Sequence, residues 1–169
     1  MYKNPFYDEF YNLKKELESE SDRGIAIFVG AMLDSQLKRM FSNFLYDKKF
    51  VQTELLKNQN SPLSSLSGKL KLAYSLTLIN KSELHDAEII RKIRNDFAHK
   101  FELSFSFDDS RVSKQCNNLY FKDVAEYTDS KSIETNPKQF FLNSSLVLIK
   151  CWMTRWYYDD DRLEEDQFT

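Results

Sequence analysis

The sequence predicts an all-α fold, a single compact helical domain of about six helices. Three observations carry this reading. Only 3 Gly and 3 Pro occur in 169 residues, too few for the turns of a sandwich or barrel or for a glycine-rich nucleotide fold. Apolar residues recur at spacings of three and four over long stretches, the period of a helix face. Aromatic residues make up 15% of the chain and supply enough apolar surface for a core, although 30% of residues are charged. The length fits one domain, placed over residues 1–158, followed by an acidic C-terminal tail over 159–169.

Each element has its own signals. Pro5 suits a first helical turn, and Phe6, Phe10, Leu13 and Leu17 then share one face. Residues 19–22 break that pattern and offer N-cap oxygens for a second, long helix. Its stripe from Ile25 to Leu45, including Phe28, Met32, Phe41 and Phe44, suits a central position. Gly24 and Gly30 within it lower helix propensity, which close approach of another helix would offset. A short helix is expected from Phe50 to Leu56, a loop from Asn58 to Ser67, and a helix from about Ser64 to Ile79 that Asn80 stops. Ser82 is the expected cap of the next helix, Glu83 to His99, which buries Leu84, Ala87, Ile90, Ile93 and Phe97.

From Phe101 to Phe107 the period changes to two, which predicts an extended segment. Asp108-Asp109-Ser110 caps a short helix through Val112, Cys116 and Leu119, and 122–135 reads as a surface connection. Asn136-Pro137 then starts a last helix that buries a subset of its Phe, Leu, Ile and Trp residues, with Trp152 and Trp156 four apart.

Charge narrows the function classes. The net charge is −2, but the tail sets six carboxylates against Arg162 and so carries −5, leaving a body of +3. That is too little for a general nucleic-acid binder, and no basic recognition helix is visible, so specific duplex DNA binding is not expected. Cys116 and Cys151 form no C-x-x-C pair and have no His at ligand spacing; they read as reduced thiols in a cytoplasmic protein. No apolar stretch approaches the roughly 20 residues of a membrane span. Neither a metal nor a cofactor is expected; Asp159-Asp160-Asp161 reads as part of a solvated, frayed tail.

The run from Arg91 to His99 holds the residues best suited to chemistry. His85 and His99 are the only histidines. Asn95 and His99 share a helix face, whereas Arg94 and His99 are about 140° apart around the axis. One helix therefore does not gather all three. Two copies meeting across a two-fold axis would, and the reading is accordingly a homodimer. An imidazole there could move the 2′-hydroxyl proton of RNA while a guanidinium stabilises charge on the phosphoryl oxygens, without a metal.

Arg94-Asn95-x-x-x-His99 resembles the signature of HEPN domains, helical and usually dimeric proteins, many of them RNases of toxin–antitoxin or antiviral systems. The resemblance implies that Arg94 and His99 are catalytic and Asn95 supporting, with RNA as substrate and a cognate antitoxin or regulatory protein as partner. Phe101 stands where some HEPN toxins carry a modifiable tyrosine.

A wider resemblance covers residues 20–120. Asp22-Arg23-Gly24, Ser61-Pro62-Leu63 through Tyr74, and Asp86-Ala87-Glu88 through Arg94-Asn95-Asp96-Phe97-Ala98-His99 are similar to the mannitol operon repressor (MltR) family. That resemblance implies transcriptional regulation of sugar uptake. The leading reading is a metal-independent endoribonuclease or RNA-binding effector acting as a dimer; the alternative is a non-catalytic regulator working through protein contacts. In the second, Arg94 is an ordinary pairing residue for Glu83, Glu88 or Asp96, and His99 a C-terminal helix charge.

Overall fold

The computed structural model describes residues 5–57, 60–124 and 136–165, with side chains described over 10–57, 60–124 and 136–155. Seven α-helices lie in these segments, and they contain no strand: α1 (Pro5–Ser19), α2 (Asp22–Phe44), α3 (Lys48–Phe50), α4 (Leu66–Ser75), α5 (Lys81–His99), α6 (Ser110–Asn117) and α7 (Pro137–Glu165). A π-helical turn, Val51–Leu56, continues α3.

Helix α2 is the centre of the molecule and packs chiefly on α5 and α7. Ile25, Val29, Leu33, Leu37 and Phe41 are buried along it, against Ile90, Ile93 and Phe97 of α5 and Phe141, Leu148 and Trp152 of α7 in one continuous core. The stripe is narrower than its apolar residues suggested: Phe28 and Phe44 are exposed. The two α2 glycines differ. A Cβ at Gly30 would lie 2.7 Å from Cγ of Arg94, so this glycine does admit the neighbouring α5. At Gly24 the crowding comes from Glu20 and Ser21, in the turn that starts α2.

Several boundaries depart from the sequence reading for local reasons. Helix α4 stops at Ser75, short of Ile79, because Thr77 takes a left-handed φ of 59°. Leu78 N–H then bonds Ala73 C=O at 2.9 Å and Thr77 N–H bonds Tyr74 C=O at 3.0 Å, the Schellman pattern that usually holds glycine at the left-handed position. Asn80 caps α5, in place of Ser82: its side chain accepts from Glu83 N–H, and the Glu83 carboxylate accepts from Asn80 N–H at 2.7 Å, a complete capping box.

The extended segment at 101–107 is instead a series of turns. Phe101 and Leu103 are fully exposed, whereas Phe105 rests edge-on against Phe97 and Phe107 is buried between Phe97 and Phe141. Period two does not make a strand here, because among the described residues no strand lies beside it to pair with. Asp109 precedes α6 without a side-chain cap, while Asn136 caps α7 as expected, accepting from Gln139 N–H at 2.8 Å. Helix α7 buries Phe140, Phe141, Leu142, Leu146, Ile149 and Trp152, and its backbone runs on through Glu165 into the acidic segment. The Trp156 side chain, Asp159-Asp160-Asp161 as a metal or solvated cluster, and most of the connection before α7 lie outside the described residues. No helix among the described residues is long and apolar enough to cross a membrane.

Candidate functional site

Two of the three motif residues line one cleft. Arg94 and Asn95 of α5 line a cavity of about 600 Å³ together with Gly30, Asp34 and Lys38 of α2 and with Ser64, Ser65 and Ser67 before and within α4. The helix spacing explains the grouping: Arg91 and Arg94 are three apart on α5, and Gly30, Asp34 and Lys38 four apart on α2. Gly30 lets the stem of Arg94 lie directly on the α2 backbone. The guanidinium at the end of that stem donates to Asn95 Oδ1 at 3.0 Å.

The charges in and beside the cleft are mostly paired. Lys69 is completely buried; its Nζ meets Asp34 Oδ1 at 2.8 Å and donates to the carbonyls of Leu63 at 2.9 Å and Ser64 at 3.2 Å. Asp34 also holds Lys38 at 2.8 Å. Arg91 gives Nε and Nη2 to Glu88, at 2.9 and 2.8 Å, and Glu88 accepts from the Ser67 hydroxyl at 3.3 Å. The carboxylates considered from sequence as structural partners of Arg94 are all engaged elsewhere: Glu88 with Arg91, Asp96 with Arg111 at 3.2 Å, and Glu83 with Arg155 at 2.7 and 3.0 Å. Among the described residues Arg94 meets no carboxylate.

His99 does not join this cleft. It sits exposed in the last turn of α5 and lines no part of the cavity around Arg94. Five residues of helix separate the two, about 7.5 Å of axial rise. Within one chain the composite catalytic group therefore does not form. The end of the helix is held by Arg23, whose guanidinium donates to the carbonyls of Phe97 and Glu102. Its neighbour Asp22 accepts from Phe107 N–H at 3.1 Å and pairs with Lys138 at 3.1 Å. Asp22-Arg23 thus staples the 101–107 turns and α7 to the start of α2.

His85 stands on another face, its Nδ1 3.0 Å from Asp86 Oδ1 and its ring against Tyr120. Asp86 is wholly buried and accepts from Tyr120 and Phe121 N–H at 2.8 and 3.1 Å, so it anchors the chain after α6. Burial pushes the Cys116 thiol up to about 12 and also raises that of Cys151, where the Glu83 carboxylate adds to the effect. Neither is a ready nucleophile. No group of His, Cys, Asp and Glu suited to hold a metal exists among the described residues.

Sequence reasoning missed the residues of α2 and α4 that gather around the cleft with Arg94. Lys69 held the clearest signal, standing three after Leu66 and four before Ala73 on the apolar face of its helix. A lysine there must bury its charge against a carboxylate, and Asp34 supplies it.

The described residues thus form an all-helical domain with an open, polar cleft lined by Lys38, Arg91 and Arg94. The family model described as mannitol repressor matches residues 13–157. The chain belongs to that family. Among solved structures it is similar to a chain in the X-ray structure of the MtlR–HPr complex from Escherichia coli, with 19% identity and a TM-score of 0.65 over 88% of this chain and 99% of that one. At that identity the likeness establishes the shared fold. No curated protein matches significantly.

Proposed function

We propose that this chain is a regulator of a sugar-uptake operon that acts by binding another protein, with HPr as the partner to test first. Family membership carries the reading, and two observations support it. The neighbour of the same fold is a chain in complex with HPr. The only nearby imidazole, His99, stands outside the cleft that holds Arg94 and Asn95. The test is calorimetric titration of the full chain with HPr, alongside reporter expression from the sugar-uptake operon with and without the chain. Saturable binding and altered expression support the reading. Absence of both overturns it.

A second reading keeps one observation in its favour: Arg94 and His99 both reach solvent on α5, where a second copy could approach them. A metal-independent ribonuclease built that way requires a homodimer. Light scattering that returns a monomer mass at micromolar concentration removes it, as does RNA cleavage that survives His99→Ala. Phe97→Ala is the folding control, since truncating a buried aromatic costs about 3–5 kcal/mol.

A further inference from the structure

The Arg94 cleft has more cationic capacity than the protein itself uses. Three cations, Lys38, Arg91 and Arg94, line it and Lys69 is buried beside it; two carboxylates, Asp34 in the lining and Glu88 next to it, answer these four. Two positive charges are left over. The pairing is also uneven. Lys69 is fully satisfied by one carboxylate oxygen and two carbonyls. Arg91 gives two of its nitrogens to Glu88. Arg94 has only the Asn95 amide oxygen, so most of its donors point at no protein acceptor among the described residues.

That guanidinium is nevertheless well placed. Its stem lies on Gly30, where a Cβ would come within 2.7 Å of Cγ, and so its path across α2 is fixed by the backbone. A positioned guanidinium without a carboxylate partner can give two parallel N–H donors to a pair of anionic oxygens, and a phosphate group offers such a pair. The rest of the wall is rich in hydroxyls: Ser35, Ser64 and Ser67 line it with the Asn95 amide. A volume of about 600 Å³ lies in the range of small-molecule sites. The cleft is too short on apolar and aromatic surface for a nucleobase to stack in it: Leu66, Ala31 and Gly30 are its only apolar lining residues.

We propose that this cleft binds a small phosphorylated, hydroxyl-rich metabolite of the sugar-phosphate class, with Arg94 as the principal phosphate ligand and the serine wall facing the hydroxyls. This goes beyond protein docking and does not rest on it, because the test contains no partner protein.

The full chain is titrated by calorimetry with a panel of hexose and hexitol 6-phosphates, with the matching free sugars, and with inorganic phosphate. The expected result is saturable binding of at least one sugar phosphate, at least tenfold tighter than inorganic phosphate, and none of the free sugars. Arg94→Ala should weaken it about 10- to 100-fold, the usual weight of a charge-assisted pair, with Arg94→Lys intermediate. Gly30→Ala should weaken it too, by displacing the Arg94 stem. Arg94 is exposed, so its variants are expected to melt near the parent temperature, and melting curves check this. Silence from the whole panel at about 10 mM overturns the proposal. So does binding that Arg94→Ala leaves unchanged, and so does inorganic phosphate binding as tightly as every sugar phosphate, which marks a bare oxyanion site.

Discussion

Arg94 and His99 show how far neighbours in a motif can differ. Arg94 is laid over Gly30 into a cleft, while His99 projects from the last turn of its helix. Thr77 is the residue whose conformation fits its side chain least. A β-branched residue at φ 59° stands where glycine has no Cβ penalty. Thr77→Gly is expected to stabilise the protein by about 0.5–1 kcal/mol, read as an increased urea midpoint with unchanged slope. Cys116 supplies a pH dependence. Its folded pKa, pushed up from 9.0 to about 12, means that the folded state holds the thiol proton more tightly than the unfolded chain does. That contribution is complete below the unfolded value and is lost as pH rises through the folded one. Stability should therefore fall between about pH 9 and 12, and Cys116→Ala should flatten that part of the curve. In the native protein at neutral pH a thiol reagent should label Cys151, which is half-buried, well before Cys116.

At the scale of elements, the helices written in strong three-and-four periodicity were legible in sequence: α1, α2, α5 and α7 all form where their apolar stripes lie. What escaped was set by contacts distant in the chain. The 101–107 segment alternates like a strand, yet only Phe105 and Phe107 turn inward, because Asp22 and Arg23 hold that backbone from the start of α2. The end of α4 escaped because a threonine took the position where the pattern favours glycine. Of the candidate site, the α5 face and the close helix approach at Gly30 were legible, whereas the Asp34–Lys69 pairing and the α4 wall were not, since a lysine in an apolar stripe finds its carboxylate only when helices meet. Arg23→Ala tests the staple. It removes two hydrogen bonds from a charged donor and should cost about 1–3 kcal/mol, with faster amide exchange confined first to residues 98–107. Exchange that quickened equally along α7 and α4 would show that Arg23 supports the whole core instead.

For the whole molecule, the sequence fixes a body of +3 beside an acidic segment of −5, and the fold places a cation-lined cleft on that body. Such a distribution suits a protein that meets charged partners at one face better than one that tracks a nucleic-acid backbone. Family membership and the shared fold align with that view, and the proposed activity is binding rather than bond breaking. Calorimetric titration of the full, folded chain with HPr tests this most directly. A saturable complex of fixed stoichiometry, retained when His99 is replaced by alanine, is the expected result. No heat of binding at micromolar concentrations, from protein shown by circular dichroism to be folded, would contradict it.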